Sequence, residues 1–257
     1  MEVIDQLQKK ISLPNIPKRI ISLVPSQTEL LVDMGLEENI VGITKFCVHP
    51  KHLRNNKTIV GGTKQVKLEK IKALMPDIIL CNKEENTKEM VAELEEIAPV
   101  HVSDIVKIDD AFELMHQYGE IFQKEALVGT MVNSVRDKIA VLQEQIQNKP
   151  IRKVAYFIWK KPLMVAGKDT FIDELLKLNK FENVFKESRY PETTLEELKA
   201  KNLDLLLLSS EPFPFGEKHK EYFSILNVEI KLVDGEYFSW YGSRLIEAID
   251  YFKTLRV

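Results

Sequence analysis

Apolar residues recur along this chain in two rhythms, and one compound pattern is written twice. Residues 68–81 read LEKIKALMPDIILC and residues 195–208 read LEELKAKNLDLLLL. The offset is 195 − 68 = 127 at every position, without a gap. Each copy opens with Leu-Glu on an amphipathic stretch, with Ile71 and Leu74 in the first and Leu198 in the second. Each then passes an aspartate, Asp77 or Asp204, into an unbroken apolar run. A run of this kind, bounded by polar residues, fits a strand buried on both faces, as parallel strands are. One helix-then-strand unit repeated in register predicts two similar lobes, with Glu69 and Glu196 at equivalent places. Two such lobes are expected to enclose a ligand between them.

The remaining pattern fills in this outline. Residues 19–24 (RIISLV) and 40–46 (IVGITKF) predict core strands, with shorter extended pieces at 59–60 and 100–102. Pro25 ends the first strand, and Ser26-Gln-Thr-Glu29 has the capping-box spacing that satisfies the free N–H groups of a helix start. Gly61-Gly62-Thr63-Lys64 lacks the spacing of a phosphate loop and reads as a tight turn. Between residues 122 and 147, Leu127, Met131, Val135, Ile139, Leu142 and Ile146 recur at spacings of three and four. That predicts one helix of about 25 residues, about 40 Å long, acting as a connecting rod. In the second half, residues 153–159, 205–208 and 228–233 predict strands, and Thr193 with Glu196 predicts a further capping box. The expected fold is α/β: two Rossmann-like α/β lobes with central parallel sheets, residues 1–120 and 150–257, joined by one long α-helix over residues 121–149.

Composition changes this picture little but excludes several functions. The chain has 257 residues, 36 basic against 39 acidic, and a formal net charge of −3, so a basic face for nucleic acid is not expected. No apolar run approaches the ~20 residues of a membrane span. The first residues, MEVIDQLQKKISLPNIPKR, show no export signal, which places the chain in the cytoplasm if Met1 is the native start. Cys47 and Cys81 lack CxxC spacing and are expected as buried, reduced thiols.

Nearly every unusual residue follows a predicted strand, and open α/β sheets take ligands outside those carboxyl ends. Phe46, Cys47 and His49 follow one strand, Glu84 and Glu85 another, and Trp159, Tyr237 and Trp240 lie in equivalent loops of the second half. Flat aromatic side chains there suit a large planar or macrocyclic ligand. Cys47 with His49, and Glu84 or Glu85 nearby, forms a candidate soft-metal set. Ser26 lacks the glycines of a nucleophile elbow, and no constellation points to catalysis, so an enzyme is not expected.

Four strings, RIISLVPSQTELL, GGTK…LEKIKALMPDIIL, VAGKDTFIDELLKLNKFENVF and RYPETTLEELKAKNLDLLLLSS, resemble ABC-transporter substrate-binding proteins of the helical-backbone class, the cobalamin and iron-siderophore binders among them. The resemblance implies a monomeric, non-catalytic periplasmic protein that delivers a corrinoid, haem or ferric siderophore to an ABC importer. It implies permease subunits as partners and no required cofactor. Glu69 and Glu196 match the glutamates with which that family docks to its transporter. Phe46 and Tyr190 match aromatic ligand contacts, whereas Thr63 stands near a family tryptophan. Trp159, Tyr237 and Trp240 would complete the apolar walls, and Lys64, Arg189 and Arg244 would pair with anionic groups on the ligand. The alternative is a cytoplasmic metal- or cofactor-handling protein of the same fold, built on Cys47, His49, Glu84 and Glu85.

Overall fold

The computed structural model describes residues 1–256, which fall into two compact units. Unit 1 comprises Met1–Ile105, Asp109–Val135 and Trp240–Leu245; unit 2 comprises Val106–Ile108, Arg136–Ser239 and the chain from Ile246 onward. The segment Trp240–Leu245 therefore belongs with the first unit, although sequence order places it in the second half.

Unit 1 opens with an antiparallel hairpin, β1 (Glu2–Ile4) and β2 (Lys10–Ser12). Its main sheet holds β3 (Ile20–Ser22), β4 (Ile40–Thr44), β5 (Thr58–Gly61), β6 (Ile78–Asn82) and β7 (Val100–Ser103). All neighbours are parallel, in the order β5-β4-β3-β6-β7. The chain winds outward from β3 in one direction and then, from β6, in the other, so the crevice of this sheet lies at the carboxyl ends of β3 and β6. Both strands are buried at every residue, which is why they read as continuous apolar runs.

Unit 2 holds β8 (Arg152–Trp159), β9 (Met164–Val165), β10 (Phe181–Asn183), β11 (Leu205–Ser209) and β12 (Glu229–Val233). The parallel order is β10-β8-β11-β12, with β9 antiparallel to β8, and the direction of winding reverses between β8 and β11. The repeated aspartates do the same work in each unit. Asp77 Oδ2 accepts from the N–H groups of Lys18 and Arg19 at 2.8 and 2.9 Å, pinning the start of β3 beside β6. Asp204 Oδ2 accepts from Lys153 N–H at 2.7 Å, pinning β8 beside β11.

The long helix is present as Glu125–Ile146, 22 residues or about 33 Å. It is shorter than predicted because a separate helix, Ile108–Phe122, runs up to it and Gln123 turns the chain with φ of 55°. The boundary between the units falls inside it, after Val135. Its buried stripe is Val128, Val132, Val135, Leu142 and Ile146, so the predicted stripe was one residue early in its first two positions and Leu127 is exposed.

Two predicted caps are also corrected. The helix Pro25–Asp33 starts on Pro25 with no side-chain cap, since proline has no N–H to satisfy there, and Glu29 is used elsewhere. The second capping box is formed by Thr194 with Glu197, one residue later than predicted, which leaves Glu196 outside it. No helix among the described residues is long and apolar enough to cross a membrane.

Candidate functional site

The strands of unit 1 that frame the crevice end on polar residues: Ser22, Thr44, Asn82 and Ser103. Each is buried; Ser22, Thr44 and Asn82 bond backbone atoms of the loop just beyond their strands, and Ser103 Oγ donates back to Cys81 O on β6. Gln27 Nε2 donates to Ser103 Oγ at 2.7 Å and to Tyr241 Oη at 3.1 Å, and Gln27 Oε1 accepts from the Tyr118 hydroxyl at 2.8 Å. Asn82 Oδ1 accepts from Glu84 N–H at 2.8 Å, while Asn86 Nδ2 donates to Thr63 O at 2.8 Å. The loop after β6 is thereby fastened to the Gly61-Gly62 turn. That turn needs glycine: Gly61 has φ of +150°, and a Cβ there would lie 2.5 Å from Gln65 O. This network escaped the sequence reading, although a polar residue closing each apolar strand was a visible signal for it.

On this base stand the predicted residues of unit 1. Phe46 is 48% exposed, with its N–H donating to Thr44 Oγ1 and its ring resting on Gly62. Lys64 is exposed, and its ammonium donates to Glu84 O. Glu85 is half-buried; burial pushes its carboxyl up, Glu84 adds to the shift, and Lys64 and a Thr63 hydrogen bond oppose it.

The soft-metal set is not assembled. Cys47 turns into the core, with its Sγ 3.1 Å from Thr28 Oγ1 and 3.3 Å from Thr44 Oγ1, and burial pushes the thiol up. His49 instead meets Trp240 edge to face, with centroids 5.4 Å apart. Among the described residues no three His, Cys, Asp or Glu side chains come together as a metal shell, so Cys47, His49, Glu84 and Glu85 do not form one.

Trp240 and Arg244 are both buried and are engaged within unit 1. Arg244 makes a two-pronged ion pair with Glu29, Nε to Oε2 at 2.8 Å and Nη2 to Oε1 at 2.5 Å, and its guanidinium lies 4.7 Å from the Trp240 ring centroid. Burial raises the Glu29 carboxyl above its ordinary range, and Arg244 works against that. Both residues serve to seat the Trp240–Leu245 segment on unit 1.

In unit 2, Trp159 is 38% exposed at the exit of β8 and donates Nε1–H to Lys161 O at 3.0 Å. It begins an aromatic chain: Phe213 at 5.7 Å, Phe215 at 4.7 Å from Phe213, and His219 against both. Tyr190 is half-buried with the Arg189 guanidinium 5.6 Å from its ring, and Arg189 Nη1 donates to Asp169 O. Tyr237 stacks on Tyr251 at 4.9 Å within the packing of two helices, so it is structural in at least that contact. Glu69 and Glu196 are each the second residue of a short helix, Leu68–Ala73 and Leu195–Ala200, and both are exposed.

The profile of the family described as "Periplasmic binding protein" matches residues 20–223. The chain belongs to the periplasmic binding protein family. Relatives of this binding protein include an uncharacterized ABC transporter substrate-binding lipoprotein of Bacillus subtilis, 23% identical over 96% of this chain and 82% of that protein. A vitamin B12-binding protein of Yersinia pestis is 27% identical over 77% of this chain and 73% of its own. Among solved structures, the periplasmic vitamin B12 binding protein of Vibrio cholerae has a TM-score of 0.79 at 20% identity, covering 94% of this chain and 97% of that one. A periplasmic heme binding protein of Pseudomonas aeruginosa has a TM-score of 0.82 at 19% identity, covering 93% and 92%. These structures share the fold of this periplasmic binding protein, two α/β units with parallel sheets.

Proposed function

We propose that this chain is a non-catalytic substrate-binding protein that takes up a metal chelate outside the cytoplasm and delivers it to an ABC importer. The names of its relatives carry vitamin B12, heme and, for one solved structure, possible iron binding, and the chelate classes proposed for this chain are a corrinoid, haem or a ferric siderophore. The observation that carries the reading is where each unit leaves aromatic surface uncovered. Phe46 and Trp159 are both exposed large apolar side chains, and both stand at the carboxyl end of a parallel strand. Burial normally claims such rings, and rings left out over a ligand-binding edge are contact surface. Lys64, Arg189 and the half-buried Tyr190 are further contacts. Glu69 and Glu196 are the transporter-facing residues, supported by their equivalent placement, their exposure and the absence of a capping role for Glu196.

The test is a titration of the full chain with haemin, cyanocobalamin and an iron(III) siderophore, followed by absorbance. Phe46→Ala and Trp159→Ala should each weaken the bound chelate by about fivefold or more. Unchanged affinity in both variants sinks the assignment. Glu69→Ala with Glu196→Ala should leave that titration untouched and reduce capture by the importer's membrane subunits.

A further inference from the structure

Phe46 is held from two sides. Its N–H donates to Thr44 Oγ1 at 3.3 Å, which fixes the backbone where β4 ends. Its ring lies over Gly62, so closely that a Cβ there would stand 3.2 Å from Phe46 Cε2. The direction of the exposed ring therefore depends on where the turn over residues 61–64 sits. Gly62 N–H donates to Gln65 O at 2.8 Å, which shapes the turn, and Lys45 N–H donates to Gly61 O at 2.8 Å, which ties its first residue to β4. The far side of the turn is held by Asn86. This side chain is buried, with Oδ1 accepting from Asn82 N–H at 2.8 Å and Nδ2 donating to Thr63 O at 2.8 Å. Both partners are main-chain groups of fixed polarity, so the amide can face one way only. Asn82 in turn donates Nδ2 to Ser103 Oγ at 3.0 Å and accepts from the N–H groups of Glu84 and Glu85 at Oδ1, which roots the loop in β6 and β7.

We infer that Asn86 is a positioning residue for the ligand contact made by Phe46, acting through Thr63 and Gly62. The inference rests on the binding role proposed above and concerns unit 1 alone. An exposed ring has no packing on its outer side, so its orientation is set by what lies beneath it. A ring fixed in advance loses less freedom when a ligand covers it, and that saving appears as affinity. Lys64 also links the turn to the loop by donating to Glu84 O, but its long exposed side chain must give up rotamer freedom to do so. Asn86 has the shorter side chain and is already buried, so it is the stiffer link. Residue type matters here as well. Asparagine offers one acceptor and one donor at the right reach, whereas aspartate has the same shape but offers acceptors alone once ionised. A buried amide spent on joining two loops specifies one arrangement of them, because any other leaves it unpaired.

The experiment titrates the full chain with haemin, cyanocobalamin and an iron(III) tris-hydroxamate, in wild type, Phe46→Ala, Asn86→Asp, Gly62→Ala and the double variant Asn86→Asp with Phe46→Ala. At about pH 7.5, Asn86→Asp should weaken the bound chelate by about threefold or more, because a carboxylate oxygen then faces the Thr63 carbonyl. In acid the introduced carboxyl gains a proton that it can donate to Thr63 O, and burial raises the pH at which it does so. The deficit against wild type at the same pH should therefore shrink below about 1.5-fold by about pH 5, since Glu84, Glu85 and Lys64 titrate in both proteins. Gly62→Ala should also cost about threefold, by lifting the ring from its floor. In the Phe46→Ala background, Asn86→Asp should cost less than about 1.5-fold, because the ring it positions is gone. An asparagine that merely holds the fold together gives the same deficit in both backgrounds. That result overturns the inference, as does wild-type affinity in Asn86→Asp or Gly62→Ala, or a deficit that grows in acid; the binding role stands in each case. If Asn86→Asp does not fold, Asn86→Ser takes its place in the two backgrounds with the same expectation. If Phe46→Ala binds like wild type, or none of the three chelates binds, the ligand contact falls and the positioning role with it.

Discussion

Replacing Arg244 by methionine tests the ion pair that seats the Trp240–Leu245 segment. Glu29 and Arg244 share two contacts of 2.8 and 2.5 Å, and both side chains are largely withdrawn from water. Methionine keeps most of the apolar stem, so the loss reports the charge rather than the packing. Removing one member of a buried pair costs about 3–5 kcal/mol, because the survivor remains desolvated. Glu29 retains some contact with water, which lowers the expectation to about 2–4 kcal/mol, including about 1 kcal/mol for the cation–π contact with Trp240. The pH dependence fixes the sign. Burial already holds the Glu29 carboxyl up despite Arg244, and without the guanidinium it rises further. A carboxyl raised in the folded state contributes stability below its unfolded pKa and loses it as pH climbs through the folded one. The deficit of Arg244→Met should therefore be largest at neutral pH and shrink on acidification. Urea unfolding at about pH 7 and about pH 5, followed by tryptophan fluorescence, measures it. Adding Glu29→Gln should recover most of the loss by removing the stranded carboxylate. A deficit below about 0.5 kcal/mol at neutral pH, or one that grows with acid, refutes the reasoning.

Three further outcomes are expected. Gly61→Ala should cost about 1–3 kcal/mol, since φ of +150° and the Gln65 carbonyl both oppose a Cβ; an unchanged thermal midpoint contradicts this. Glu85→Gln should stabilise the protein at neutral pH, because burial raises that carboxyl, and the gain should vanish below about pH 4; a gain that persists in acid points to another cause. Tyr118→Phe should cost about 1–2 kcal/mol in urea unfolding by leaving the buried Gln27 carbonyl oxygen without its donor, and a neutral result there means that oxygen finds another.

The architecture was legible because it rests on local pattern. A strand covered on both faces must be apolar throughout, so β6 and β11 stood out, and the repeated aspartates before them proved to be clamps on the neighbouring strands. Capping was legible to within a residue only. Thr193 and Thr194 are adjacent, Glu196 and Glu197 likewise, and sequence spacing alone fits both pairings; the backbone chose the second. The long helix was shifted for a related reason, since Leu127 and Val128 are equally apolar and only the neighbouring packing selects which faces inward.

By itself the sequence determined that this is a two-unit α/β protein with a long helix, and that aromatic and charged residues gather where parallel strands end. Hydrophobic period and strand order are properties of the chain, and they need no partner to be read. What the tertiary structure alone decided is which of those side chains are engaged within the fold and which remain exposed. Arg244 pairs with Glu29, 215 positions away, Trp240 packs with His49 and Arg244, and Cys47 contacts two threonines, while Phe46 and Trp159 remain exposed. A side chain's chemistry is written in its identity, but its availability depends on which neighbour reaches it first, and that neighbour is set by the fold.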